Sequence, residues 1–147
     1  MDPIAQDLLN AWDGSRLTER PCLLDPTLDL ARAYRLAAQQ RSARMARGEM
    51  PVGWKIGFTN RRIWNKYQVH ALIWGTVWAG GLQVLPDAEG ECALRGLVQP
   101  RIEPELVVRF ASAPDAAMEE LELLACLDWV AHGIEIVHTH YADWLFE

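Results

Sequence analysis

The chain has 147 residues, half of them hydrophobic, and a formal net charge of −6; that suits one domain with a sizeable core and, with no basic stripe, argues against a nucleic-acid partner. No apolar run reaches membrane length, and Met1-Asp2-Pro3-Ile4 is acidic where a signal peptide needs hydrophobes, so no membrane partner is expected. Cys22, Cys92 and Cys126 form no Cys-x-x-Cys pair, which indicates neither a zinc ribbon nor a disulfide framework and points to a reducing cytoplasm.

Asp2-Pro3 is a helix start, with Asp as N-cap and Pro at the first helical position. Ile4, Leu8, Leu9 and Trp12 follow at helical spacing, and Asp13-Gly14-Ser15 ends the helix. An irregular stretch around Arg20-Pro21 leads to a second start signal at Asp25-Pro26. Leu30, Tyr34, Ala37, Ala38, Arg41 and Met45 then mark one helical face, closed by Gly48. After Gly48 the character changes. Val52 to Phe58 reads as a strand, and Thr59-Asn60 caps a short helix carrying Ile63, Trp64 and Tyr67. Ala71 to Trp78 and Leu82 to Leu85 read as strands around a Gly80-Gly81 turn, and Asp87 to Gly90 as another turn. Leu94 to Val98 is a short strand and Ile102 to Phe110 a longer one. Ala116 to Ala131 reads as a helix stopped by Gly133, and Ile134 to His138 as the last strand. The apolar end at Asp143-Trp144-Leu145-Phe146-Glu147 suits a docked terminal strand. Helices first and strands afterwards argue an α+β fold. The expected organisation is one domain, helical to about residue 48 and β-rich from about 49 to 147. Most of the seven tryptophans are expected in the core rather than on a sugar- or aromatic-binding surface.

The densest chemistry lies in Arg101-Ile102-Glu103-Pro104-Glu105-Leu106-Val107-Val108. Side chains two apart on a strand share a face, so Glu103 and Glu105 converge. Two like charges held together call for a proton, an arginine or a divalent cation. Glu135 adds a third carboxylate, in Gly133-Ile134-Glu135-Ile136-Val137. Oxygen-only ligands suit hard cations such as Mg²⁺, Mn²⁺ or Ca²⁺. The plainer reading is a solvated edge strand, and Pro104 supports an edge or a bulge. The chain holds twelve arginines and two lysines. One of the lysines, Lys55, sits in the apolar stretch Val52-Gly53-Trp54-Lys55-Ile56-Gly57-Phe58. It is either a lysine tuned by burial or one whose stem lies on apolar surface with its head in water.

Four motifs in order, Gly53-Trp54-Lys55-Ile56-Gly57-Phe58-Thr59-Asn60, Ile73-Trp74-Gly75, Pro100-Arg101-Ile102-Glu103-Pro104-Glu105 and Gly133-Ile134-Glu135-Ile136-Val137, resemble the 2-keto-4-pentenoate (2-hydroxypentadienoate) hydratases. These belong to the fumarylacetoacetate hydrolase superfamily, as do the oxalocrotonate decarboxylases. The resemblance implies a mixed, β-rich core after the helices. It also implies Mg²⁺ or Mn²⁺ bound by Glu103, Glu105 and Glu135, with Lys55 facing the substrate. The implied activity is that of a lyase of aromatic catabolism, hydrating 2-hydroxypenta-2,4-dienoate to 4-hydroxy-2-oxopentanoate. The alternatives are decarboxylation of a related oxo-diacid, or a non-catalytic short form or subunit. A small 2-oxo or 2-hydroxy-dienoic acid and further copies of the chain are the implied partners. The sequence departs from the family at His138-Thr139-His140, a His-x-His pair where many relatives carry an Asp-Ser-Arg-like run. It also ends where family chains continue, so an incomplete core with little turnover of its own is expected.

Overall fold

A computed structural model describes residues 1–87 and 89–144. Their contacts divide the chain into two compact units: Met1–Val98 with the segment from Thr139, and Gln99–His138. The change of character after Gly48 falls inside the first unit.

Helix α1 spans Pro3–Asp13 and is built as its sequence requires. The Asp2 carboxylate accepts from the Ile4 N–H at 2.9 Å, which satisfies a donor that has no partner inside the helix. Ala5, Leu9 and Ala11 are buried. One-turn helix α2, Pro21–Leu24, occupies the stretch expected to be irregular. Helix α3 spans Leu30–Ala46 and starts four residues after Pro26. The Asp25 carboxylate is taken up locally, accepting from the Thr27 N–H at 2.9 Å in an Asx turn. Asp29 caps the helix instead, accepting from the Arg32 N–H at 2.6 Å. The buried residue of α3 is Leu36, while Leu30 and Met45 are exposed, so the inward face is not the one expected. Glutamine contacts to α1 set that rotation. Gln39 accepts from the Asp2 N–H at 2.6 Å, and the Gln40 amide donates to the Ala5 carbonyl at 3.3 Å.

Strand β1, Pro51–Gly57, pairs antiparallel with β2, Ile73–Trp78. Between them a 3-10 turn, Arg61–Ile63, runs into the short helix α4, Trp64–Tyr67. The Asn60 side chain caps the turn, as expected. Helix α3 reaches the hairpin through aromatic contacts. Tyr34 stacks on Trp74 with ring centres 4.5 Å apart, Trp74 meets Trp54 edge-on at 5.1 Å, and Arg41 lies over Trp54. Trp54 and Trp74 nevertheless remain 58% and 51% exposed, and Trp12 and Trp129 are exposed too. The expectation that most tryptophans are core is therefore corrected. Trp12, Trp54 and Trp74 lie against neighbouring cations and rings while part of each stays in water.

The second unit is a ribbon of β3, Arg101–Phe110, antiparallel to β4, Leu127–Val137, joined through the short helix α5, Glu120–Ala125. The long helix expected over Ala116 to Ala131 is overturned. Glu119 and Glu122 form a reciprocal capping box that starts α5, but β4 takes over at Leu127. The β-favouring run Trp129-Val130 finds a partner strand over the whole length of β3, and cross-strand pairing outweighs local helical periodicity. Gly133, expected to stop that helix, stands mid-strand. The strands expected at Leu82–Leu85 and Leu94–Val98 do not form, because short apolar runs without a partner leave their backbone groups better served by turns and solvent. The Asp87–Gly90 turn includes Ala88, and the expected terminal strand includes Leu145–Glu147, which lie outside the described residues. Ala142–Trp144 form a 3-10 turn. Among the described residues the sheets are two antiparallel pairs, which with the helices make an α+β arrangement. Among the described residues no helix is long and apolar enough to cross a membrane.

The tightest side-chain arrangement in the first unit is Arg44, whose guanidinium lies 4.6 Å from the Trp12 ring centre and 4.3 Å from that of Trp78. Its Nε donates to Glu49 at 2.8 Å. The Arg44 hydrogen bond holds the Glu49 carboxyl below its ordinary range; partial burial opposes this, and Arg47 adds to the lowering. A carboxyl depressed in the folded state contributes stability that is present above its unfolded value and is lost as pH falls through the folded one. Glu49→Gln is expected to lower unfolding stability near neutrality by about 0.5–1 kcal/mol, with the gap to the parent closing below pH ~4. Urea titrations across that range test this, and parallel profiles for parent and variant would refute it.

Candidate metal centre

The register of β3 and β4 decides which side chains meet. Glu103 stands directly opposite Glu135, and Glu105 opposite Gly133. Alternation puts all three carboxylates on one face of the ribbon. Each offers an oxygen within 4.8 Å of the other two. Glu103 is exposed and Glu135 half-buried. This is the only group of three or more metal-ligand side chains found among the described residues.

The donor set is all oxygen, as hard cations prefer. Oxygens on opposite sides of a bound Mg²⁺ stand about 4 Å apart, and around Ca²⁺ about 5 Å. Oxygens within 4.8 Å of one another are within reach of a single divalent cation. Like charges directly opposite on a ribbon are otherwise destabilising. Arg101 and Arg109 share this face by alternation, and Arg109 is engaged 3.3 Å from Asp128.

Gly133 stands beside the candidate site, opposite Glu105, although the sequence reading took it as a helix stop. A Cβ there would lie 2.6 Å from Val107 Cγ2 and 3.6 Å from the Glu105 Cβ. Glycine keeps the face clear beside Glu105. Its signal in the sequence was its place two residues before Glu135, on the same strand face. Asp128 was also unforeseen. The register slips between Arg109 and Phe110, leaving Asp128 as the extra residue on β4, a bulge that ends the regular ladder. Pro104 pairs with Ile134 in a two-stranded ribbon with open edges, so proline's missing N–H is tolerated there.

Lys55 stands on β1, in the first unit, opposite Gly75. The lysine stem fills the room that Gly75 leaves, its Cγ 3.6 Å from where a Cβ would be. It lies on the half-buried face of β1, while Val52, Trp54 and Ile56 are on the exposed one. The His-x-His pair gains no third ligand among the described residues. β4 ends at Val137, and His140 Nδ1 lies 2.8 Å from the Arg16 carbonyl oxygen, with its ring 5.7 Å from Trp12.

No protein-family model matches the chain. Among curated proteins, a 4-oxalocrotonate decarboxylase of a Pseudomonas species is 34% identical over 103 residues, 70% of this chain and 39% of that protein. The 2-hydroxyhexa-2,4-dienoate hydratase of Comamonas testosteroni is 29% identical over 81% of this chain and 45% of its own length. The 2-hydroxypent-2,4-dienoate hydratase of Pseudomonas putida is 26% identical over 76% of this chain and 50% of its own. The chain thus spans half or less of the length of these relatives. In fold it is similar to the 4-oxalocrotonate decarboxylase from Pseudomonas putida G7 complexed with magnesium and adipate. That likeness has a TM-score of 0.85 and 23% identity, and covers 95% of this chain and 52% of the other. The same enzyme complexed with calcium and acetate gives 0.82 at 25% identity, covering 97% and 54%. In sequence the chain is similar to 2-hydroxydienoate hydratases and a 4-oxalocrotonate decarboxylase, and in fold to a 4-oxalocrotonate decarboxylase.

Proposed function

We propose that Glu103, Glu105 and Glu135 hold a divalent cation, Mg²⁺ or Mn²⁺, in a lyase acting on short unsaturated 2-oxo or 2-hydroxy acids. The observation that carries this is the convergence of three carboxylates within 4.8 Å on one ribbon face. When bound, such a cation supplies Lewis acidity to the oxygen that gains negative charge as the substrate enolises. The glutamates fix the position of the cation through the rigid β3–β4 register, and Gly133 leaves open space on the same face. Lys55 carries the substrate-facing role by resemblance, as a cation suited to a carboxylate or an oxo group. Hydration of 2-hydroxypenta-2,4-dienoate is the first reading. Decarboxylation of an oxo-diacid is the second, favoured by the 34% identity to a 4-oxalocrotonate decarboxylase. Three free thiols suit a reducing, cytoplasmic setting, and self-association of the chain belongs to the same reading.

Two assays separate the readings, each run with Mg²⁺ or Mn²⁺ present. Loss of the ultraviolet absorbance of 2-hydroxypenta-2,4-dienoate reports hydration, and release of carbon dioxide from 4-oxalocrotonate reports decarboxylation. Because the chain spans half or less of its curated relatives, cation-dependent binding is the more basic test. Mn²⁺ at a hundred times its dissociation constant is expected to add about 2.7 kcal/mol to unfolding stability, and Glu105→Gln to remove most of that gain. Equal upward shifts in melting for parent and variant would take Glu105 out of the site.

Lys55→Met is expected to weaken calorimetric binding of 2-oxopentanoate, in the presence of Mn²⁺, by roughly tenfold or more, the loss of one charge-assisted hydrogen bond. Mn²⁺ affinity is expected to stay unchanged. Equal 2-oxopentanoate affinity in parent and variant would leave Lys55 as a lysine packed on Gly75 with its head in water.

A further inference from the structure

The charges of this chain are unevenly spread, and one stretch runs against the net −6. Between Glu49 and Asp87 the sequence has no acidic residue, yet it carries Lys55, Arg61, Arg62 and Lys66. From Phe110 to Glu147, by contrast, it has no lysine or arginine. Arg61, Arg62 and Lys66 fall on the 3-10 turn and helix α4, and all three are exposed. No carboxylate pairs with any of them among the described residues, whereas Arg16, Arg32, Arg44, Arg47 and Arg109 each hold one. Two of them lie against rings instead. Arg61 is 5.7 Å from the Trp64 ring centre and Lys66 5.2 Å from that of Tyr67. A ring face orients a cation without neutralising it, so the turn keeps its positive field.

The turn is fastened to the end of the strand that carries Lys55. Trp64 Nε1 donates to the Phe58 carbonyl at 2.8 Å, and the Phe58 ring meets Tyr67 edge-on at 5.8 Å. Phe58 has a φ of 58°, a left-handed conformation uncommon for a bulky residue, at the point where the chain leaves β1. Lys55 stands two residues before that end, about 7 Å along the strand. Gly57, the residue between Lys55 and the turn on the same strand face, raises no side chain there. We propose that Arg61, Arg62 and Lys66 receive the far carboxylate of a dicarboxylic 2-oxo acid whose oxo-acid end faces Lys55. This rests on the substrate-facing role proposed for Lys55, and it names a diacid as the ligand class. A carboxylate takes charge-assisted hydrogen bonds from guanidinium and ammonium groups, whereas a methyl end offers the turn nothing. A cationic turn at this place supports the oxo-diacid reading over the monocarboxylate one.

The test is calorimetric titration with 2-oxohexanedioate and 2-oxohexanoate, acids of equal chain length, with and without Mn²⁺. The parent is expected to bind the diacid about tenfold more tightly. The triple variant Arg61→Gln, Arg62→Gln, Lys66→Gln is expected to lose that preference while keeping the parent's affinity for the monoacid. All three side chains are exposed, so its melting midpoint is expected to stay at the parent's value. The double variant Arg35→Gln with Arg95→Gln removes exposed positive charge elsewhere and is expected to keep the preference. Equal affinity of the parent for the two acids, or binding of neither, overturns the proposal. So does a preference that survives the triple variant, or one that the double variant also loses. Lys55→Met is expected to weaken both acids alike and leave their ratio unchanged. Unaltered affinities in that variant, with the ratio intact, would count against Lys55 and not against the turn. The preference is read as a ratio between two acids, so it stands or falls separately from cation binding at the glutamates.

Discussion

The pairing register of β3 with β4 is the constraint on which the rest of the candidate site depends. It sets Glu103 directly across from Glu135 and leaves glycine across from Glu105. A one-residue slip would turn every side chain to the other face, dispersing the carboxylates and bringing the apolar set to their side. The ladder is held by its length, from Arg101↔Val137 to Phe110↔Leu127, and is ended by the bulge at Asp128. Within this register two carboxylates face each other at a spacing where like charges repel. A divalent cation held between them would offset that repulsion.

The first unit is organised differently. Its buried core is small, Ala5, Leu9, Ala11 and Leu36, and much of its order comes from cations lying on aromatic faces. Arg44 lies over both Trp12 and Trp78 and donates to Glu49, tying α1, α3, β2 and the turn after α3 together. Contacts of this kind contribute about 0.5–2 kcal/mol each, most where the pair is shielded from water. Arginine suits them better than lysine, because its planar guanidinium stacks and still forks onto a carboxylate. The excess of arginine over lysine therefore has a structural use here, whatever its origin in the coding sequence.

Sheets bury one face and solvate the other when they are antiparallel. In this chain both faces of β3–β4 are largely open, with Glu103 exposed on one and Ile102, Leu106 and Ile134 on the other. The family's fold is recognisable over nearly the whole chain, yet the match leaves almost half of the solved decarboxylase unaccounted for.

Much was legible in the sequence where a single residue type has a local physical consequence. Asp2-Pro3 starts a helix wherever it occurs, Asn60 caps its turn, and alternation alone placed Glu103 and Glu105 on one face. The order of four short motifs was enough to indicate the family. Local signals failed where a distant partner decides. Asp25-Pro26 reads as a helix start, but the Asp25 carboxylate turns to Thr27 and Asp29 caps α3 instead. The stretch from Leu127 to Ala131 has helical periodicity and became strand, because ten residues of β3 supplied a ladder that no local pattern encodes. Gly133 changed meaning with it, from a helix terminator to the open position opposite Glu105. The sequence by itself determined which residue types were available for a hard-cation site and which two shared a face. Only the tertiary structure set Glu135, already named as the third carboxylate, directly opposite Glu103, because cross-strand register depends on the whole length of the pairing and not on any one segment's propensity.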